Sequence, residues 1–161
     1  MSSNIFLAPC DPGNFRRTVL NPLDPSTYSN APEPIADRNE VRFWGVRDGK
    51  QNRTYFEKME GGDTVLFYQN GAYIGVASIK ETFEDTDGWA RTNFWQGAPS
   101  TLIYTLGNFT EIEVPRAAVN RLFDYNEDTY PQGLMRVSDT RVNNSPRVIK
   151  RTVEKYHEKH C

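Results

Sequence analysis

Residues Gly61 to Ile79 read GGDTVLFYQNGAYIGVASI, and this stretch constrains the architecture more tightly than any other. Gly61-Gly62-Asp63 is a turn, and Val65, Leu66, Phe67 and Tyr68 form a β-branched and aromatic run. Gln69-Asn70-Gly71 supplies turn chemistry, and Tyr73 to Ile79 is a second strand. Two such runs joined through Asn-Gly predict a β-hairpin, because that dipeptide accepts the positive φ angles of the turns whose twist matches paired strands. The first run does not alternate with polar residues, so the hairpin is expected to be central and buried on both faces. Gly75 inside the second run predicts a bulge or a close backbone approach, since glycine otherwise weakens a strand.

The rest of the chain arranges around this hairpin. Asn4 to Ala8 (NIFLA) is a short apolar strand, followed by the loop Pro9 to Gly13 and a short helix over Asn14 to Leu20, capped by Asn14 or Asp11. Asn21 to Pro34 is polar and proline-rich and predicts a surface loop. Glu40 to Val46 (EVRFWGV) is a strand, and Arg53 to Met59 one or two helical turns. Lys80 to Phe83 prolongs the hairpin, and Glu84 to Ser100 is a long connection holding Trp89, Phe94 and Trp95. Thr101 to Leu106 and Thr110 to Val114 are two more strands, and Pro115 opens a helix at a favoured position. After a polar loop from Asp124 to Gly133, Leu134 to Ser138 is a strand and Arg147 to His160 a charged helix with weak apolar spacing. Strands and helices do not alternate strictly, which argues against a doubly wound parallel sheet. The expected fold is α+β, a small twisted β-barrel of about six strands with peripheral helices.

The chain of 161 residues suits a single domain with a substantial core. Its formal net charge of -2 excludes a globally basic nucleic-acid coat, but not a local patch. From Arg136 to Lys159 there are seven Lys or Arg against three Asp or Glu, so the C-terminal part is locally basic. Two cysteines, Cys10 and Cys161, make no disulfide framework and fit a reducing, cytoplasmic setting. No apolar run approaches the length of a membrane span, and no signal peptide is evident, so no membrane partner is expected.

Catalytic signatures are sparse. The histidines are His157 and His160, both near the C-terminus, which leaves no Ser-His-Asp or Cys-His arrangement elsewhere. His157, His160 and Cys161 are a poor metal set without a fourth ligand, and no glycine-rich loop precedes a lysine as a phosphate cradle. The acidic pair Glu84 and Asp85 reads as solvated. The reading is a non-catalytic domain without cofactor. The tryptophans carry more information. Trp44 precedes Gly45 at a strand end, and Trp89 and Trp95 lie in a polar connection. Each either packs into the core or presents a ring to a flat ligand, which stacking on aromatic faces would bind. Asp11, Asn14 and Asn70 are either turn and cap residues or readers of a ligand edge. Arg136, Arg141, Arg147, Lys150 and Arg151 either contact phosphates or form a solvated face.

Taken in order, FLAPCD, FWG, VLFYQNGAYIGVASI, TLIYTLGNFTEIEVP and RVSDTRV resemble the EVE and YTH branches of the PUA-like superfamily, which read modified nucleobases. The hairpin, the Trp-bearing loop and LIYTL look closest to the N-terminal specificity modules of McrB-like modification-dependent restriction systems. The resemblance implies a modified-base-binding domain over residues 4–142. Residues 143–161 would then be a charged helical tail or linker towards an effector domain carrying a nuclease or NTPase. It places Trp44 and Trp95, or Trp89 in its stead, as an aromatic cage around a flipped base. Asp11, Asn14, Gly45 and Tyr68 complete the pocket, and Arg136, Arg141, Arg147 and Lys150 border the backbone groove. Cys10 departs from the small hydroxyl residue of YTH domains, and Gly45 replaces a polar residue. The implied partner is nucleic acid carrying 5-methylcytosine, 5-hydroxymethylcytosine or N6-methyladenine, DNA before RNA. The alternatives are an N6-methyladenine RNA reader of the YTH type and a PUA-like protein-interaction or small-molecule domain with its tryptophans in the core.

Overall fold

The computed structural model describes residues 4–160. Its strands are β1 (Ile5–Pro9), β2 (Arg42–Arg47), β3 (Thr64–Gln69), β4 (Ala72–Glu84), β5 (Ser100–Pro115) and β6 (Met135–Arg136). They form one sheet in the order β2-β5-β4-β3-β1-β6, with β1 and β3 parallel and the other neighbours antiparallel. The predicted hairpin is β3–β4, turning at Asn70 and Gly71, whose φ angles are 49° and 90°. Register shifts recur along the β4–β5 ladder, between Tyr73 and Gly75, Val76 and Ser78, and Ile79 and Thr82. Each such irregularity sharpens the local twist, and together they curl the sheet into a half-barrel.

Side chains on β1 and β3 alternate between two cores. Phe6, Ala8, Val65 and Phe67 face one, while Ile5, Leu7, Leu66 and Tyr68 face the other. A central strand covered on both sides has no solvent face, which is why this run is apolar throughout. The first core is covered by α1 (Pro12–Phe15) with the π-helical turn Arg16–Leu20, by α3 (Lys50–Phe56) and by α4 (Trp89–Asn93). The short α2 (Glu33–Ala36) contributes Ile35 to the same core. The second core is covered by α5 (Arg116–Leu122) and α6 (Pro146–His160) through Ala118, Val119, Ile149 and Val153. At Gly75 the register shifts, as expected of a bulge, and the crowding comes from side chains rather than another backbone, since a Cβ would stand 2.7 Å from Phe109 Cε1 and 3.3 Å from Phe15 Cζ.

Several segments differ from the sequence reading. The two strands expected over Thr101 to Val114 are one, because the left-handed residue Asn108 (φ 51°) lets β5 continue across the irregularity. β6 spans two residues of the five predicted. The long connection folds in part as α4, whose first turn is held by Asp85. That carboxylate is 3% exposed and accepts the backbone N–H groups of Trp89 (3.0 Å) and Ala90 (2.9 Å), so Asp85 is a buried anchor rather than a solvated charge. The stretch read as a tail is packed. Ile149, Val153 and Tyr156 lie on one helical stripe against the second core, and Thr64 Oγ1 donates to Pro146 O at 3.0 Å.

Arg53 on α3 gathers acidic residues from neighbouring elements, reaching Asp48 at 2.7 Å and Glu84 at 2.7 Å. Its hydrogen bonds hold both carboxyls below the usual carboxylate range. Groups whose folded values are depressed contribute stability above their unfolded values, near 4, and lose it as pH falls through the folded values. Wild type is therefore expected to melt above Arg53→Gln at pH 7, with the gap closing as pH falls from neutral through the depressed folded values of the two carboxyls. A thermal-melt series across that range checks this, and a gap that persists in acid contradicts it.

Candidate functional site

A cleft of about 720 Å³ opens where the C-terminal ends of β1, β2 and β3 meet the start of β5. That is within the roughly 300–1,000 Å³ usual for small-ligand sites. Local sequence builds each side. Pro9 ends β1, Cys10 N still donates to Tyr68 O at 3.0 Å, and Asp11 then caps α1 by accepting Asn14 N at 2.9 Å, with Pro12 opening the helix. The opposite wall is the loop 130–134. Asn52 ties it down, accepting Leu134 N at 3.2 Å and donating to Arg47 O at 3.0 Å.

The floor is neutral, made of Ala8, Trp44, Tyr104 and Leu134, none more than 8% exposed. Tyr68 and Tyr130 form an aromatic wall, stacked at 5.5 Å between centroids and 20° between planes. The Tyr68 hydroxyl accepts Gly71 N at 2.9 Å and Arg116 Nη1 at 3.3 Å, and the Arg116 guanidinium lies 5.5 Å from the Tyr130 ring centre. Charge is confined to the rim, at Asp11 and Arg47, both exposed, beside the polar side chains of Gln69, Asn70 and Gln132. Burial first, and the Asp11 charge second, push the Cys10 thiol up to about 12. Near neutrality it is a protonated donor to Tyr68 O (3.5 Å) and no nucleophile.

Of the residues singled out from sequence, Trp44, Gly45, Asp11, Tyr68 and Asn70 come together around this cleft. Trp95 and Trp89 do not line it. Trp95 is 3% exposed and meets Trp44 edge-to-face at 5.7 Å and 67°, so the two rings touch and leave no slot between them for a base. Gly45 makes that packing fit, since a Cβ there would lie 2.8 Å from Trp95 Cη2. Trp89 packs against Phe43 and Phe94 and donates through Nε1 to Ser29 O at 3.1 Å. Asn14 is spent on the helix cap, donating to Asp11 Oδ1 at 3.1 Å and accepting from Arg17 at 2.9 Å.

The four basic residues assigned to a backbone groove lie elsewhere. Arg136 bonds Asn4 Oδ1 at 2.9 Å and pairs with Asp139 at 2.7 Å. Arg141 donates to the carbonyls of Phe123 and Asp124 and covers the Tyr125 ring at 4.5 Å. Lys150 pairs with Glu154 at 2.6 Å, and Arg147 is exposed on the first turn of α6. That helix packs against Thr64, at the end of β3 away from the cleft. His157 accepts Glu113 N through Nδ1 at 2.9 Å, and His160 stacks on Tyr156 at 4.1 Å. Cys161, the remaining member of that candidate metal set, lies outside the described residues. Among those residues no cluster of three ligating side chains is arranged for a metal, and no helix is long and apolar enough to cross a membrane.

Sequence reasoning passed over Tyr130, Gln132, Arg47 and Tyr104. Tyr130 had a legible signal, an aromatic residue in the polar turn Tyr130-Pro131-Gln132-Gly133, the same pattern that drew attention to Trp89. Tyr104 had none, because a strand tyrosine inside TLIYTL reads as core.

No protein-family model matches the chain, and no curated sequence does. Solved structures do. The N-terminal domain of Thermococcus gammatolerans McrB bound to m5C DNA aligns with a TM-score of 0.67, covering 86% of this chain and 92% of that one at 21% identity. The chain has the fold of the McrB N-terminal domain. A structural-genomics protein from Agrobacterium tumefaciens aligns at 0.51, over 93% and 92% of the two chains, with 13% identity. The α+β fold expected from the sequence, a small twisted β-barrel of about six strands with peripheral helices, is found as a six-stranded sheet curled into a half-barrel, the architecture it shares with the McrB N-terminal domain.

Proposed function

We propose that this domain reads a modified base in nucleic acid, with DNA as the polymer, by accepting the extruded base into the cleft above Trp44. The observation that carries the reading is the cleft itself, an aromatic-walled recess with an uncharged floor and a polar rim. It sits on the fold of a McrB domain whose structure was solved with m5C DNA. Trp44 and the Tyr68–Tyr130 wall offer rings to the base, Asp11, Asn70 and Gln132 offer hydrogen-bonding groups for its edge, and Arg47 offers a cation for a flanking phosphate. Trp95 acts one layer back, holding Trp44 in place. Unstacking costs a few kcal/mol, which base–aromatic stacking of about 1–3 kcal/mol partly offsets, backbone contacts supplying the rest. Such a domain would serve as the specificity module of an EVE/YTH-like restriction or defence protein, with any cleavage performed elsewhere.

Titration at fixed salt tests this, using matched oligonucleotides that are unmodified or carry 5-methylcytosine, 5-hydroxymethylcytosine or N6-methyladenine, as DNA and as RNA. One modified DNA is expected to bind at least about tenfold tighter than its unmodified partner, a difference near 1.4 kcal/mol. Equal binding to all of them would sink the reading. A preference confined to RNA would replace DNA by RNA, and binding of free nucleosides alone would favour a small-molecule site.

A further inference from the structure

Tyr104 lies on β5 directly opposite Trp44 of β2, so the two side chains stand side by side on one face of the sheet. Both line the floor of the cleft. Tyr104 is fully buried, yet its hydroxyl has no hydrogen-bond partner within the protein. An unsatisfied buried hydroxyl is costly, and one belonging to a residue that lines a cleft has a partner to gain when the cleft is occupied. The Cys10 thiol, another lining group, is near enough to disfavour ionisation of Tyr104 further, after burial has already pushed that hydroxyl well up. Both groups therefore stay neutral and protonated. Cys10 donates to Tyr68 O, which leaves the Tyr104 hydroxyl as a fully buried donor of the floor with no partner in the protein. No cation lies there to balance an anion, because Arg47 is at the exposed rim.

We propose that Tyr104 is the specificity-determining donor of the cleft, giving its hydroxyl proton to an uncharged acceptor, a carbonyl oxygen or an unprotonated ring nitrogen, on the edge of the seated heterocycle. This rests on the cleft being a base site and adds how its floor recognises the occupant. It also separates two effects that usually travel together. Removing the hydroxyl relieves the free protein of an orphaned polar group while leaving the ligand's acceptor unpaired in the complex. Tyr73 provides the control. Its hydroxyl is likewise buried without a partner, but it belongs to the second core and does not line the cleft.

The experiment compares wild type, Tyr104→Phe and Tyr73→Phe in urea denaturation and in titration with the modified oligonucleotide that wild type prefers. Tyr104→Phe is expected to bind about tenfold or more weakly, Tyr73→Phe as wild type does, and both to keep a urea midpoint at or above that of wild type. Wild-type affinity in Tyr104→Phe overturns the proposal. So does an equal loss in both variants, or a lowered midpoint for Tyr104→Phe, which would assign the hydroxyl to the fold. If wild type prefers no modified oligonucleotide, the base-site reading itself falls and takes this proposal with it.

Discussion

Replacing Trp95 by alanine is expected to lower the stability of the domain by about 3–5 kcal/mol, the usual result of emptying a buried tryptophan site. Against a total of about 5–15 kcal/mol for a domain of this kind, much of the native population would be lost. Trp95 is 3% exposed, with its ring 5.5 Å from Phe43 and 5.7 Å from Trp44, both edge-to-face. Neighbours on several sides hold the cavity open, so little collapse would offset the loss. Urea denaturation measures the change directly. A loss below about 1 kcal/mol would mean that the ring is not the core element described here. Gly45 sharpens the test, because a Cβ there would stand 2.8 Å from Trp95 Cη2 and 2.9 Å from Cζ3. Those two atoms are absent from phenylalanine. Gly45→Ala should therefore cost about 1–3 kcal/mol in wild type and less in a Trp95→Phe background, a non-additivity that marks direct contact. A tryptophan acting only as one plate of a cage would show neither effect.

Tyr130→Ala is expected to do the reverse, weakening binding of the preferred modified oligonucleotide by about 5- to 150-fold while leaving the urea midpoint nearly unchanged. The ring is 44% exposed, so its removal opens no cavity, and stability should move by no more than about 0.5 kcal/mol. One neighbour is Tyr68, stacked at 5.5 Å, and Arg116 lies near the ring, so the wall is rigid and partly supplied with positive charge. A base resting on that wall would lose stacking of about 1–3 kcal/mol, which corresponds to the stated range. Unchanged affinity in Tyr130→Ala, with unmodified oligonucleotides still discriminated, would move the base away from this wall. Trp44 is the less clean probe. At 8% exposed it belongs to core and cleft together, and Trp44→Ala would depress stability and binding at once.

These two results set a pocket residue against a support residue, a distinction that the sequence does not draw. Trp95 and Tyr130 both stand in polar, turn-rich connections, and local composition treats them alike. The basic residues pose the same problem. Arg136 and Arg141 belong to a locally positive stretch, yet each spends its guanidinium on the protein's own carbonyls, amide or carboxylate. Arg47, which lies outside that C-terminal stretch, is the one at the cleft rim. Density of charge along a chain measures what is near in sequence. A groove collects what is near in space.

The hairpin, its Asn-Gly turn, its burial on both faces and the glycine at its tight spot are legible in the chain before it folds. All of these follow from φ/ψ preferences and hydrophobic patterning over a few neighbouring residues. The chain's ordered motifs also carried the likeness to McrB N-terminal modules, whose fold the chain shares. Which aromatic rings face the cleft, that α6 closes the second core, and that Tyr104 keeps a hydroxyl without a partner follow from long-range packing. Those outcomes depend on contacts between segments far apart in the chain, such as β2 with β5 or Thr64 with Pro146. Such contacts are set by how the curled sheet packs as a whole, and no local propensity encodes them.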